Sequence, residues 1–518
     1  MRKVSYNRRD FLKHAFGAAC LLAASPAHGL AKASDRHSRP NIIIIMVDDI
    51  GYQHPSYMGN LYYETPNIDR LADEGLVFTN GYSANTVCAP ARAAVRTGQY
   101  PAALGIKRLS VSDYDAVFLP GPLKQNGYVT CHIGKWHGTS KKYTPADCGY
   151  DYDYLSSKSG HQKSLEWPYT KSGKIEEKLD FPELTANGRR GDILTDQLGE
   201  KAVEFIRTHK DEPFLLELDF YAVHVPVATT PEYEQYFKNK IKQLGGEIPV
   251  VNQPRVIKGS TEYNYLYAGA MKKMDDNVGA ILDTLDKEGL SDDTLVVFLG
   301  DNGAKTNVST NKPLRAGKNA PYEGGIRIPW VMRYKPLIKP GGRTECPAVF
   351  VDLFPTIMEL SGSAVEPEYQ RKLDGISLVE VMKEPSRNIK RCLFWLRYPR
   401  TVQYYSMGPS EYCLPFEAVR EGDWKLIHFR PCYLVKERYE LYNIKEDIGE
   451  RNDLASAMPE KVKKLAEKLR LWQASTKVQK YDPAEYSFEA MAKAHEKRKA
   501  RSREKLRKAK ELQKDASD

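Results

Sequence analysis

Beyond its N-terminal segment, this chain of 518 residues has no apolar run of about 18 or more, so no membrane-spanning helix is expected. It has no C-x-x-C pair, so a structural zinc site is not indicated. No internal repeat is evident, which argues against a solenoid or propeller. Nor does the body carry the positive charge that a polyanion-binding core would need. The formal charge is +10, but Met1 to Ala33 hold six Lys/Arg against Asp10, and Ser487 to Asp518 hold eleven against six acids. Each end therefore supplies +5 and the body from Ser34 to Tyr486 is neutral, so a nucleic-acid-binding core is not expected. What is present suffices for folding. A hydrophobic fraction of 41% with 10% aromatics excludes wholesale disorder. The length allows one large domain plus a smaller one.

The first segment reads as an address. Arg8-Arg9-Asp10-Phe11-Leu12-Lys13 precedes the short apolar stretch from Ala15 to Ala24, and Ala31-Lys32-Ala33 ends it with an A-x-A exit. Charged start, apolar middle and small-residue exit predict a signal peptide over residues 1–33. Its arginine pair resembles the twin-arginine signal read by the export machinery. The expected location is periplasmic or secreted. Cys20 lies inside the apolar stretch rather than at its end, so no lipid anchor is expected. With Cys20 and Cys88 set aside, Cys131, Cys148, Cys346, Cys392, Cys413 and Cys432 remain. That even number suits an oxidising compartment but leaves disulfide pairing open.

Asn41 to Val47 (NIIIIMV) is a near-continuous β-branched run, the pattern of a strand buried on both faces. It stops at Asp48-Asp49. The layout recurs. Tyr128 to Ile133 leads into Gly134-Lys135-Trp136-His137, Pro213 to Phe220 leads on to His224, and Thr294 to Leu299 leads into Gly300-Asp301-Asn302. Helix-like stretches lie between, including Asn67 to Glu74 before Gly75 and Tyr265 to Lys287 before Gly289. Strands alternating with helices predict an α/β domain with a mainly parallel sheet, and ligands bind such sheets outside the carboxyl ends of the strands. One polar strand end would mean little, because Asp and Asn commonly start turns. Four together point to one shared site.

Asp48, Asp49, Asp301 and Asn302 offer hard oxygen donors without sulfur or imidazole, a set suited to Ca²⁺ or Mg²⁺. Cys88-Ala89-Pro90-Ala91-Arg92 has its proline placed for a first helical turn, and the helix should run through Thr97 to Gly98. The Cys88 side chain would then sit at a helix N-terminus, where N–H groups and the dipole favour an anion. Lys135, His137, His224 and Lys318 would add positive charge and hydrogen bonds nearby.

With these residues in view, the chain resembles a type I sulfatase of the alkaline-phosphatase-like superfamily from about Arg39 to Ala455. The resembling segments are VDDIGY at Val47, TPNIDRLADEGLVFTNGYS at Thr65, CAPAR at Cys88 and GYVTCHIGKWH at Gly127. HVP at His224, the long run from Asp275 through GDNGA, GKNAPYEGGIRIP at Gly317, GDWKLI at Gly422 and ELYNIKEDIGERNDLA at Glu440 follow. C-x-P-x-R alone is a weak pattern; in this order with the others it is specific. The resemblance implies that Cys88 is oxidised to formylglycine (3-oxoalanine) by a formylglycine-generating enzyme reading C-x-P-x-R. Hydrated, that aldehyde is a gem-diol: one hydroxyl attacks sulfur, the alcohol leaves, and the second hydroxyl expels sulfate, which is covalent catalysis in two steps. It further implies one Ca²⁺ per subunit held by Asp48, Asp49, residue 88, Asp301 and Asn302. Arg92, Lys135 and His137 would hold the gem-diol and the sulfate, His224 and Lys318 would neutralise charge with one of them as general acid, and Asp301 would be the base.

Two departures from the family pattern stand out. Ala91 replaces a serine common in relatives, and GKWH continues with Gly138-Thr139-Ser140 rather than Leu-Gly. The second puts the substrate pocket outside residue-by-residue transfer.

The expected layout is a catalytic domain over 39–385, a C-terminal subdomain with a small antiparallel sheet over 386–475, and a basic tail over 487–518. The runs FWLRY, VQYY, WKLIHF and ERYELY supply the sheet, and Pro459 to Gln473 a following helix. Trp395, Arg397, Tyr398, Tyr404 and Tyr405 suit either a sugar-binding rim or sheet packing. The polar stretch from Ser156 to Arg190 is expected to form loops over the site, and the tail reads as a solvated extension or a contact to anionic polysaccharide. The function expected is hydrolysis of a sulfate ester, with a sulfated carbohydrate as the substrate an exported enzyme would meet. The rivals are a phosphodiester or phosphonate monoester hydrolase of the same superfamily, and a non-catalytic sulfated-glycan-binding protein.

Overall fold

The structure, a computed structural model, describes residues 39–493 apart from 107–114, 138–142, 158–161, 171–172, 176–180, 247–249, 252–256, 259–262, 400–412 and 479, and describes residues 496, 500 and 504 beyond. The signal segment 1–33, the Gly138-Thr139-Ser140 loop, Tyr404, Tyr405 and most of the basic tail lie outside the described residues.

An eight-stranded sheet forms the centre. Its strands are β1 (Asn41–Val47), β2 (Leu76–Phe78), β3 (Val129–Gly134), β4 (Tyr152–Tyr154), β5 (Phe214–Phe220), β6 (Thr294–Gly300), β7 (Trp330–Arg333) and β8 (Gly342–Thr344), in the order β8-β2-β7-β6-β1-β5-β3-β4. Only β7 runs antiparallel to its neighbours; the other pairings are parallel. The sheet is mixed and mainly parallel, as expected. All seven residues of β1 are buried. Ile42, Ile44 and Met46 enter one core while Ile43, Ile45 and Val47 enter the other, so the period-2 alternation of the strand feeds two apolar layers. That is why the run reads as continuously apolar.

Helices cover both faces. On one side lie α1 (Pro66–Asp73), α3 (Leu194–Thr208), α4 (Pro231–Gln243) and α5 (Tyr265–Lys287). On the other lie α2 (Cys88–Thr97) and α6 (Leu353–Ser361), joined through Ala91, Ala94, Val95, Phe354 and Ile357. α5 opens where Asn264 accepts the Tyr267 N–H at 3.0 Å.

A second sheet follows as a meander: β9 (Cys392–Arg397), β10 (Phe416–Glu421), β11 (Trp424–Phe429) and β12 (Arg438–Asn443). Trp395, Ala418, Ile427 and Tyr442 on one face join the main core. Val419, Leu426 and Leu441 on the other meet Leu465 and Leu469 of α7 (Pro459–Ser475). Of the residues weighed for a sugar rim, Trp395 and Tyr398 are only 1% and 2% exposed. They pack the sheet and form no rim. Every cysteine among the described residues is free, so the disulfides left open by the even count are not formed among them. The stretch after Ser156 includes one short helix, Pro182–Asn187, among its described residues.

Candidate active site

Register brings the predicted residues together. Val47 of β1 lies beside Phe220 of β5 and Gly300 of β6, and Gly134 of β3 pairs with Asp219, so four strands end side by side. The residues that follow them are Asp48-Asp49, Lys135 to His137, His224 and Asp301-Asn302. Gly134 is needed at its place: it has φ 98°, and a Cβ there would stand 2.2 Å from the Asp219 carbonyl that accepts the Lys135 N–H at 2.8 Å. Asp49 itself takes a left-handed conformation at φ 61°, and its N–H donates to Asp301 Oδ1 at 3.1 Å.

Cys88 begins α2, as the sequence predicts. Val87 before it is extended, and the helix ends at Gly98, whose φ of 65° suits the residue without a Cβ. The thiol is buried (3% exposed) at the positive end of the helix, with Lys318 Nζ 3.9 Å from its sulfur. Asp48, Cys88 and Asp301 each present a donor atom within 4.8 Å of one another, and so do Asp48, Asp49 and His224.

Around them the charges alternate. Lys135 pairs with Asp48, and Lys318 with Asp49. Asn302 Nδ2 donates to Asp49 Oδ1 at 2.8 Å. Arg92 donates through Nε and Nη2 to Asp301 Oδ2 at 3.1 and 2.8 Å, and its Nη1 lies 3.0 Å from Asp219 Oδ2. Burial lifts the Asp48 carboxyl well above its ordinary value despite Lys135. Burial would raise Asp49 as well, but the Lys318 ammonium overcomes it and holds that carboxyl low. Burial keeps His137 and His224 neutral, well below the usual histidine range. His224 Nδ1 lies 2.6 Å from the Val225 carbonyl, so Nδ1 carries the proton and Nε2, 3.6 Å from Asp49 Oδ2, faces the site with its lone pair.

A cation tests well against this donor set. Oδ1 of Asp48 and Oδ1 of Asn302 are buried and accept no hydrogen bond. Two orphaned acceptors beside two further carboxylates, all hard oxygens, are what Ca²⁺ or Mg²⁺ would coordinate.

Sequence reasoning missed the layer behind the site. Arg96, one helical turn after Arg92, pairs with Glu217 and Asp219 at 2.7 and 2.6 Å. It also donates to the Trp136 carbonyl at 3.0 Å and lies over that residue's ring. His132 reaches Asp219 at 3.4 Å. Asp301, Arg92, Asp219, Arg96 and Glu217 thus form a buried chain of alternating charge. His132, Glu217 and Asp219 have metal-ligand spacing, but Arg96 fills their centre. The signal was present: FLLELDF puts two acids on one face of a fully buried strand.

Fold and site together define a hydrolase of the alkaline-phosphatase-like superfamily. The Sulfatase family profile matches residues 40–363, and that of N-sulphoglucosamine sulphohydrolase, C-terminal, matches 317–477. Relatives include a sulfatase of Formosa agariphila, 29% identical over 517 residues (85% of this chain, 89% of the relative). Another is the N-acetylgalactosamine-6-sulfatase of Mus musculus, 30% identical over 406 residues (73% of this chain, 72% of the relative). Among solved structures, Ps i-CgsB in complex with k-i-k-neocarrahexaose superposes with a TM-score of 0.69 at 27% identity, covering 86% of this chain and 95% of that one. The chain belongs to the sulfatase family and is a sulfuric ester hydrolase.

Proposed function

We propose that this protein is an exported, calcium-dependent sulfatase that uses residue 88, oxidised from cysteine to formylglycine, against sulfate esters of a carbohydrate. The observation that carries the reading is the position of Cys88. It lies at a helix N-terminus, 3.9 Å from Lys318 Nζ and in one donor cluster with Asp48 and Asp301. As a hydrated aldehyde, residue 88 would supply one hydroxyl to attack sulfur and a second to release sulfate. A divalent cation held by Asp48, Asp49, Asp301, Asn302 and residue 88 would supply positive charge against the sulfate oxygens.

The chain's own residues divide the remaining work. Arg92, anchored behind by Asp219, holds Asp301 in place, and Asp301 is the base on the attacking hydroxyl. Lys135 and His137 face the same cluster and orient the sulfate. Lys318, kept charged by Asp49 after burial has opposed it, neutralises the ester oxygens. His224 faces the leaving oxygen through Nε2 and, once protonated there, would give the alcohol its proton, with the Lys318 ammonium as the alternative donor.

A sulfated carbohydrate as substrate is supported by relatives whose names and ligands are of that class. Export is supported by the reading of residues 1–33, and no helix among the described residues is long and apolar enough to cross a membrane. The catalytic domain is drawn over 39–385 and the C-terminal subdomain over 386–475.

Peptide mass spectrometry across residue 88, on protein co-produced with a formylglycine-generating enzyme, should find the aldehyde. Cys88→Ala should abolish sulfate ester hydrolysis while leaving the melting curve unchanged. A persistent thiol together with full turnover would refute the nucleophile.

A further inference from the structure

The loop that carries Lys318 is gripped by the C-terminal sheet at several points. Arg315 Nη1 donates to Tyr442 Oη and to the Glu450 carbonyl, both at 3.0 Å. Tyr322 Oη donates to Glu440 Oε2 at 2.8 Å. Glu323 meets Lys425 Nζ at 2.9 Å, and its own N–H donates to Glu450 Oε2 at 2.6 Å. Between these anchors, next to Lys318, stands Asn319. It takes a left-handed conformation at φ 83°, which costs free energy for any residue with a Cβ and persists only when its surroundings hold it. Its N–H donates to the Thr86 carbonyl at 2.9 Å, and its own carbonyl accepts Arg397 Nη1 at 3.0 Å.

Arg397 ends β9, and the two residues before it hold the other side of the site. Trp395 Nε1 donates to the Ser83 carbonyl at 2.8 Å, and the Leu396 carbonyl accepts Asn85 Nδ2 at 3.3 Å. Ser83 Oγ in turn donates to the Asp301 carbonyl at 2.6 Å. Three consecutive residues of one strand therefore fasten the segment leading into Cys88 and the turn carrying Lys318. Of the three, Arg397 alone reaches the lysine turn. Arg397 is 6% exposed, its Nη2 lies 3.9 Å from Cys413 Sγ, its Nε is buried without a partner, and among the described residues no carboxylate pairs with it. A buried guanidinium that meets only a carbonyl and a thiol among the described residues is expensive, so packing alone does not account for an arginine here.

We propose that Arg397 is a positioning residue of the sulfatase reaction: by holding the Asn319 carbonyl it sets the Lys318 ammonium over residue 88. The inference rests on the role given to Lys318 above. Losing the clamp lets the turn relax from its left-handed conformation, and the ammonium then drifts from the sulfate position. A shift of that kind lowers turnover more than it weakens binding.

The test is a double-mutant cycle of Arg397→Met and Lys318→Ala. The substrate is the ester that wild type turns over fastest among 4-nitrophenyl sulfate and a panel of sulfated monosaccharides. Formylglycine content is matched by peptide mass spectrometry. R397M is expected to lower kcat by about tenfold or more with KM changed less than about threefold, and Arg397→Lys, which keeps charge and a donor, to recover part of the loss. In the K318A background R397M should change kcat by less than about twofold, because its effect passes through the missing lysine. Losses that multiply, or a kcat for R397M within about twofold of wild type, would overturn the inference. If K318A alone retains wild-type turnover, the role of Lys318 itself falls, which is a distinct result. Should R397M lack a native near-ultraviolet spectrum, Arg397→Gln takes its place in the cycle, with the same outcomes deciding.

Discussion

Asp219→Asn tests whether the charge chain behind the site holds the catalytic groups or is only packed there. Asp219 is fully buried, and its Oδ2 faces Arg92 Nη1 at 3.0 Å, Arg96 Nη2 at 2.6 Å and His132 Nε2 at 3.4 Å. One such contact at 3.0 Å, at an effective dielectric constant of about 20, is worth about 5 kcal/mol before desolvation is subtracted. Breaking a buried pair costs about 3–5 kcal/mol. Asparagine keeps the shape and one acceptor, while Arg92 keeps Asp301 and Arg96 keeps Glu217, so the low end of about 3 kcal/mol is expected.

Equilibrium urea unfolding is the assay of choice. With a specific unfolding entropy of about 2.1 cal/mol/K per residue, a cooperative unit of roughly 400 residues gives only about 1 °C per kcal/mol in a thermal melt. Burial would raise the Asp219 carboxyl, but Arg92 and then His132 hold it well below the ordinary range. A carboxyl depressed in the folded state contributes stability above its unfolded value of about 3.9, and that contribution is lost as the pH falls below it. The deficit of D219N should therefore be full at pH 7 and shrink below about pH 4. The variant should also lose about tenfold in kcat, because Arg92 loses its rear anchor. Stability within about 0.5 kcal/mol of wild type at pH 7, or a deficit unchanged at pH 3, would refute the reasoning.

Three further outcomes are expected. Lys425→Met leaves Glu323 and Glu450 buried side by side without their shared cation, at a cost of about 3–5 kcal/mol in denaturant unfolding; Glu450→Gln, which removes a carboxyl already lifted to about 7 by burial, should cost far less. Asp275, which caps α1 through the Asn67 and Ile68 N–H groups, is pushed up to about 6 by burial. An acid raised on folding loses stability as the pH rises from its unfolded value to its folded one, so Asp275→Asn should gain about 2 kcal/mol relative to wild type between about pH 4 and pH 7, read by unfolding at each pH. Chelator-treated protein should melt lower and hydrolyse sulfate esters slowly, with Ca²⁺ restoring both; Asp49→Ala should abolish the thermal response to Ca²⁺, and a melting curve indifferent to the cation would count against the site.

Much of the fold was legible because the central strands advertise themselves. After Asn41 and Thr294 at their first positions, NIIIIMV and TLVVFLG carry no polar side chain, which only a strand covered on both faces tolerates, and each stops at acids. The helix from Cys88 was marked by its early proline and by Gly98. The buried chain through Glu217, Asp219 and Arg96 was not inferred, because an acid in a strand has meaning only once its partner on a distant helix is known. The aromatic C-terminal runs were ambiguous for a related reason. Composition cannot say which face of a strand meets a core, and Trp395 and Tyr398 turned inward.

By itself the sequence determined which residue types end the strands, where the helix of Cys88 begins, and that the body is neutral between two basic ends. These are local properties, written in periodicity and in side-chain donor type. Tertiary structure alone decided which charges neighbour which. It set Lys135 on Asp48 and Lys318 on Asp49, lodged Arg92 between Asp301 and Asp219, and brought Arg397 from the second sheet against the Asn319 carbonyl. The reason is physical. Electrostatic partners in a buried site are chosen by strand register and by the packing of distant segments, neither of which is encoded at any single position.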